Sequence, residues 1–268
     1  MDAICAVILG IIEGLTEFLP VSSTGHLILA EWALGIDGGV SPWRVLLWVS
    51  QFAAILAVIV YFWRDLWRRV LRAPIRNWRS HVLTKLVVAM LPTVALAVPL
   101  KKYFDPLETQ PLAVALALIV GAVVMQLVDR RCRRQVPQTL EDVDLRQAFL
   151  IGLIQCVSMW PGVSRSGASI MGGMALGLTP SVATEFSFYL AIPTMLGAAA
   201  MTLWRYRHDL TGDVTTIVIL GSATAFVAAL ATVAGFMSFV RRYRFLPFVI
   251  YRLLLGAAVL AGYFVFRH

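Results

Sequence analysis

Six apolar runs, at about 43–62, 82–99, 110–128, 183–204, 214–239 and 246–266, dominate this chain. Each is close to the ~20 residues that a helix needs to cross a bilayer. Runs this continuous exclude a transmembrane β-barrel, whose strands alternate in polarity over about 10 residues. Of the 268 residues, 59% are hydrophobic and 14% charged, against about 45–50% and about 25% in soluble domains. The expected class is an all-α polytopic membrane protein forming one integral domain over 1–268.

A net charge of +8 raises the question of nucleic acid, and its distribution answers no. Arg64, Arg68, Arg69, Arg72, Arg76, Arg79 and Lys85 follow one span. Arg130, Arg131, Arg133 and Arg134 follow another, and Arg241, Arg242 and Arg244 a third. Sparser loops around Lys101–Lys102 and Arg205–Arg207 lie between them. This alternation is the positive-inside pattern and puts the three dense clusters in the cytoplasm. In 63–81, Trp63, Leu66, Trp67, Val70 and Leu71 interleave with arginines, which suits an interfacial segment on anionic lipid or a plain topogenic loop. Cys5, Cys132 and Cys156 have no metal-type spacing and read as structural. The N-terminus, with Glu13 inside its apolar stretch and no basic leader, does not read as a signal peptide.

Two polar clusters interrupt this apolar background. The first is Glu13-Gly-Leu-Thr-Glu17-Phe-Leu-Pro20-Val-Ser22-Ser23-Thr24-Gly25-His26, and the second is Pro161-Gly162-Val163-Ser164-Arg165-Ser166-Gly167-Ala168-Ser169. Titratable groups at membrane depth are costly, so each cluster is a functional candidate. Arg165 is the only cation that looks buried from the sequence.

The clusters are related. An offset of 142 lays Gly10 on Gly152, Val21 on Val163, Ser22 on Ser164, Gly25 on Gly167 and Ala33-Leu34-Gly35 on Ala175-Leu176-Gly177. The chain therefore reads as a repeat of 1–134 and 135–268. Each half starts with a helix, a Pro-containing break and a short helix, over about 2–35 and 146–177. A helix of about 12 residues covers only about 18 Å, so these pairs are expected to be re-entrant. Broken backbone at that depth requires surrounding protein or a water-filled cavity. Three full spans after each pair invert the second half relative to the first, an inverted-topology repeat whose breaks meet near the midplane.

The breaks carry chemistry. Ser22, Ser23, Thr24 and Gly25 open one short helix, and Ser164, Arg165, Ser166 and Gly167 open the other, with Ser169 one turn on. Unpaired N–H groups at a helix start bind anions, hydroxyls add donors, and a guanidinium grips phosphate bidentately. Ordinary capping accounts for one serine per break, not for three hydroxyls and an arginine. Glu13 and Glu17 share a helical face, as do Ser23 and His26. Paired carboxylates suit proton handling, and a hydroxyl beside a base suits nucleophilic attack. Under the offset, Glu13 meets Gln155, Glu17 meets Met159, His26 meets Ala168 and Ser23 meets Arg165. The first copy thus holds acid–base groups and the second an anion clamp, a single composite site.

At these residues the chain resembles the bacterial undecaprenyl-diphosphate phosphatase family, also called the bacitracin-resistance protein family, through EGLTEFLPVSSTGHLIL and PGVSRSGASI. The resemblance covers essentially the whole chain. It implies an inner-membrane hydrolase that releases one phosphate from undecaprenyl diphosphate, regenerating the lipid carrier for peptidoglycan. The family's functional positions fall on Glu13, Glu17, Ser22, Ser23, His26, Ser164, Arg165 and Ser166, while Ser169 stands where the family usually has threonine. The resemblance further implies homodimers, a site open to the periplasm and stimulation by a divalent cation such as Mg²⁺ or Ca²⁺. Since no His/Asp/Glu cage is evident, that cation would arrive with the diphosphate. Ser23 is the first choice of nucleophile, with His26 and Glu17 handling the proton, and attack by His26 or by activated water stands as the alternative. A transporter or flippase of the lipid carrier is the rival class, because inverted repeats with broken helices are transporter architecture. Glu185 could line the cavity, pair with a cation or make a structural bond. Pro193 and Gly197 suggest a kink or a close helix contact.

Overall fold

The computed structural model describes residues 2–36, 43–73, 78–104, 107, 110–132, 138–205 and 212–265. Arg76, Arg133, Arg134 and Arg207, which belong to the expected basic and sparse loops, lie outside them. The order is α1 (Asp2–Thr16), α2 (Ser23–Leu34), α3 (Trp43–Tyr61), α4 (Trp63–Leu66), a π-helical turn (Trp67–Leu71), α5 (Val82–Phe104) and α6 (Pro111–Arg131). A 3₁₀ turn (Leu140–Asp142), α7 (Leu145–Gln155) and a second 3₁₀ turn (Cys156–Met159) lead to α8 (Arg165–Ala175), α9 (Pro180–Arg205), α10 (Gly212–Arg242) and α11 (Leu246–Val265).

Among the described residues, α3, α6, residues Val214–Arg242 of α10, and α11 are long and apolar enough to cross a membrane. α5 (23 residues) and α9 (26 residues) occupy the other two expected spans. α5 holds Pro92 and Pro99, and its described apolar stretch is Val82–Leu96. The chain is therefore an all-helical, multi-pass membrane protein. Each expected short helix is present: α1 and α2 flank the Pro20 break, and α7 and α8 flank the Pro161 break.

The chain divides into two compact units. The first comprises Met1–Leu19, Ser23–Trp63 and Ala191–Phe236. Here α1 packs on α2 and α3, around Ala6, Leu9, Leu27, Val45, Leu46, Ile217 and Val218. Gly10 and Gly14, one turn apart on α1, abut α10: a Cβ on Gly10 would strike the Gly221 carbonyl, and one on Gly14 the Ala225 carbonyl. Small residues at this spacing let two helix backbones approach in lipid, where apolar attraction between helices is weak. Among the described residues a Cβ at Gly197 would meet nothing within 4 Å, so of the kink and the close helix contact suggested there, the contact is not seen.

The second unit comprises Pro20–Ser22, Arg64–Leu190 and Met237–His268. α7 packs on α5 and α8, and α6 on α8 and α11. Gly152 of α7 sits against α5 so closely that a Cβ would strike the Ala89 carbonyl. The buried Asp129 accepts the Phe245 N–H at 3.1 Å, and its backbone carbonyl accepts from Arg244 Nη1 at 2.8 Å. This ties the end of α6 to the turn before α11. Lys85 Nζ donates to the carbonyls of Leu140 and Glu141 at 3.1 and 2.7 Å. Glu185 is an ion-pair partner of Arg69 at 3.8 Å, the cation pairing among its expected roles.

One expectation is overturned. Lys85 and Arg252 are each 1% exposed, whereas Arg165 is only half-buried. A run's mean apolarity hides a single cation whose donors are satisfied by carbonyls, and both residues are satisfied in that way.

Candidate active site

Both breaks are made by the same local device. Proline cannot continue a helix, since it lacks an N–H and clashes with the preceding turn. Just past α1 the Glu17 N–H still bonds the Glu13 carbonyl at 2.9 Å, and Pro20 follows. The chain then reverses at Ser22, with φ 72°, and equivalently at Ser164, with φ 76°. Among the described residues these are the non-glycine residues with positive φ. Such conformations cost of order 1–3 kcal/mol and cluster at functional sites. They are also related by the 142 offset, as are Gly35 and Gly177 (φ 66° and 95°) after the two short helices.

In the first break, Ser23 Oγ donates to Glu17 Oε2 at 2.6 Å. This is a short contact that directs the hydroxyl proton at the carboxyl oxygen. Glu13 is fully buried, Glu17 half-buried, Ser22 and Ser23 buried, Gly25 buried, His26 half-buried and Thr24 exposed. Glu17, one of the two groups expected to handle the Ser23 proton, lies within hydrogen-bond reach of it.

In the second break, Ser164 caps α8: its Oγ accepts the Gly167 N–H at 3.1 Å and shares a proton with Ser166 Oγ at 3.0 Å. Gly167 permits this fold-back, since a Cβ there would sit 3.2 Å from Ser164 Cβ. Arg165, the first residue of α8, is half-buried. Ser169 is buried, and its hydroxyl donates to the Arg165 carbonyl at 2.9 Å and shares a proton with Ser187 Oγ at 2.6 Å. It therefore ties α8 to α9. Gln155, which stands where the first copy has Glu13, donates to Thr93 Oγ1 at 3.3 Å.

The residue that sequence reasoning missed is Arg252 of α11. Its guanidinium has five N–H groups, and all are used. Nε donates to the Leu118 carbonyl at 3.2 Å, and Nη2 to those of Ala117 and Gly162 at 3.0 and 3.1 Å. Nη1 donates to the carbonyls of Pro20 and Val163, both at 3.1 Å. One buried cation thus holds the backbone of both breaks, immediately before Ser164 and two residues before Ser22. Gly121 makes room for it, because a Cβ there would strike Nη2. An arginine inside the 246–266 run was the available signal, by the same cost argument that singled out the clusters.

Beside the second break lies an apolar cavity of about 680 Å³, lined by Val120, Val124, Ile154, Trp160, Ala168 and Met171 among others and reaching Gly167 and Arg252. Its wall carries almost no polar group other than that arginine. Among the described residues no group of three or more His, Cys, Asp or Glu side chains is arranged to hold a metal ion.

The comparisons with known proteins fit this arrangement. Residues 6–258 match the model of the family described as bacitracin resistance protein BacA. A protein of Novosphingobium aromaticivorans named undecaprenyl-diphosphatase is 44% identical, covering 97% of this chain and 98% of its own. Undecaprenyl-diphosphatases of Deinococcus deserti and Anoxybacillus flavithermus are 39% and 36% identical, over 97% and 98% of this chain and 95% and 98% of theirs. With both signature breaks intact and the match running from α1 to α11, the chain belongs to the bacitracin resistance protein BacA family.

Proposed function

We propose that this chain is an undecaprenyl-diphosphate phosphatase, hydrolysing undecaprenyl diphosphate to undecaprenyl phosphate and inorganic phosphate. It recycles the lipid carrier for peptidoglycan synthesis and confers bacitracin resistance. The observation that carries the chemistry is the 2.6 Å contact between Ser23 Oγ and Glu17 Oε2, in a family whose relatives bear that activity in their names. Ser23 Oγ attacks the terminal phosphorus, Glu17 takes the hydroxyl proton, and undecaprenyl phosphate leaves. Water then cleaves the phosphoserine, and the phosphate departs. His26 and the buried Glu13 share the proton traffic. Arg165, Ser22, Thr24, Ser164, Ser166 and the N–H groups of Gly25 and Gly167 bind the phosphoryl oxygens and stabilise the charge that spreads over them. Ser169 supports this clamp through Ser187.

The prenyl chain occupies the apolar cavity beside α8, whose 680 Å³ and near-absence of polar lining suit an isoprenoid. No step is assigned to a protein-held metal, and a divalent cation (Mg²⁺ or Ca²⁺) accompanies the diphosphate as its counter-ion. The two halves form an inverted repeat, supported by the matched positive-φ serines and glycines. The protein works as a homodimer in the bacterial inner membrane, with its site toward the periplasm, as the family resemblance implies. The test is phosphate release from a prenyl diphosphate by purified protein in detergent. Activity lost in Glu17→Gln, Ser23→Ala and Arg165→Ala is the expected result, and near-normal release from any of them removes that residue from the mechanism.

A further inference from the structure

We infer that a basic cavity beside the π-helical turn Trp67–Leu71 binds the phosphate group of an anionic membrane lipid. The cavity, of about 580 Å³, is lined by Arg68, Arg69, Arg72, Ser80, His81 and Glu141 among others. The lining holds three guanidiniums and one carboxylate; Asp65 and Glu185 behind it offset part of that charge, and Arg72 is in no ion pair among the described residues. The wide turn, closed by the Arg72 N–H to the Trp67 carbonyl at 2.9 Å, spaces these arginines around one opening. Such π-turns recur at functional sites.

The arginines differ in how firmly they are held: Arg69 is part-buried, whereas Arg68, its side chain 72% exposed, and Arg72 are exposed. Arg69 lies 3.9 Å from Asp65, 3.4 Å from Glu141 and 3.8 Å from Glu185, with its side chain 24% exposed. Arg68 bonds Asp65 at 2.6 Å. Arg72 stacks 5.4 Å above the Trp67 ring. The opposite wall is fixed by the buried His81, whose Nδ1 accepts the Leu83 N–H at 3.2 Å while Nε2 lies 3.3 Å from the Ala73 carbonyl. Guanidiniums recognise phosphate esters, which accept parallel N–H donors.

The neighbouring side chains say which phosphate. Trp63, Trp67 and Trp78 are 54%, 42% and 52% exposed. Exposed tryptophans at the end of a spanning helix sit at headgroup depth, where phospholipid phosphates lie. A soluble phosphate would gain nothing from them. The shared chemistry is a phosphate ester or anion, and the lipid is the source that the tryptophans favour.

The experiment counts bound ligand by native mass spectrometry on purified protein in neutral detergent, with separate arms of phosphatidylglycerol, phosphatidylcholine and inorganic phosphate. One saturable phosphatidylglycerol is expected, bound about tenfold tighter than phosphatidylcholine and not displaced by phosphate. Arg68→Gln/Arg72→Gln is expected to weaken it about tenfold, because the forked donors are lost. Arg64→Gln/Arg79→Gln removes the same charge from exposed arginines outside the cavity and is expected to change it less than about twofold. Arg69→Lys, which keeps charge without the fork, is a second variant expected to weaken binding. Equal weakening by the two double variants, equal affinity for phosphatidylcholine, or displacement of the lipid by inorganic phosphate would each overturn the assignment.

Discussion

Arg252 and Pro20, 232 positions apart in the chain, are joined by a 3.1 Å hydrogen bond from Nη1 to the proline carbonyl. The other proton of that nitrogen goes to the Val163 carbonyl at the same distance. A single guanidinium therefore sets the separation of the two chain reversals. Pro20 also lies beside α8, with its Cβ 3.6 Å from where a Cβ on Gly167 would stand. Within this unit the Pro20 turn therefore lies against the first turn of α8.

Replacing Arg252 by lysine keeps the charge but leaves three donors on a flexible stem where five were fixed. Unsatisfied buried groups cost about 1–3 kcal/mol each, so Arg252→Lys should lose about 2–5 kcal/mol of stability. A shift of about 1 Å in the reacting groups costs about 10²-fold, so turnover should fall by that order. Thermal unfolding in detergent alongside a phosphate-release assay checks both, and wild-type values in either would count against the clamp.

Glu17→Gln retains an oxygen to accept the Ser23 hydroxyl but cannot take its proton. We expect kcat to fall by about 10²–10⁴-fold, with KM changed little. A variant in which KM rises and kcat stays constant would instead make Glu17 a substrate-binding group.

The strained serines give a prediction with a definite sign. At Ser164 glycine relieves the positive φ, worth of order 1–3 kcal/mol, and loses the cap at a cost of only a few tenths. Ser164→Gly should therefore melt at or above the wild-type temperature, whereas Ser164→Ala keeps the strain, loses the cap and should melt lower. Both should lose activity. A melting point for Ser164→Gly below that of Ser164→Ala would show that the backbone there is unstrained.

Close helix contacts predict a contrast between glycines. Gly152→Ala drives a methyl into the Ala89 carbonyl, while Gly197→Ala meets open space. The first should destabilise by about 1–3 kcal/mol or more, and the second should be neutral or slightly stabilising through helix propensity. Yield and melting temperature of the two proteins in detergent provide the comparison.

The turn before α7 supplies a pH dependence. Asp142 accepts the Thr139 N–H at 2.8 Å and its hydroxyl at 3.0 Å. These bonds, the backbone one first, hold its carboxyl below the ordinary carboxylate value of 3.8. A depressed folded pKa contributes stability that is present above the ordinary value and disappears as pH falls through the folded one. The melting temperature of wild type should thus exceed that of Asp142→Asn at neutral pH, and the gap should close below about pH 4. A gap independent of pH would assign the effect to the turn's shape instead.

Much of this was legible because lipid simplifies the code. Helix positions followed from run length, and the breaks from Pro20 and Pro161 amid polar residues. Even the cap at Ser164 and the shared fold of Gly35 and Gly177 follow from the repeat. What stayed hidden depends on partners distant in sequence. Arg252 looked like one cation in an apolar run, since nothing local reveals five carbonyls waiting for it. The geometry of the Glu17–Ser23 contact, though not the pairing of their roles, stayed hidden too, because the chain must double back across the break while helical spacing pairs Glu17 only with Glu13. Ser169 is another such case: its position near the clamp suggested substrate binding, while its bond to Ser187, 18 positions on, follows from no local spacing.

The matched bends at Ser22 and Ser164 separate backbone from chemistry. Two segments that differ in most reactive side chains share one costly torsion. The reversal itself is thus independent of the groups it carries, so carboxylates and imidazole on one side or a guanidinium on the other can be exchanged without unmaking the bend.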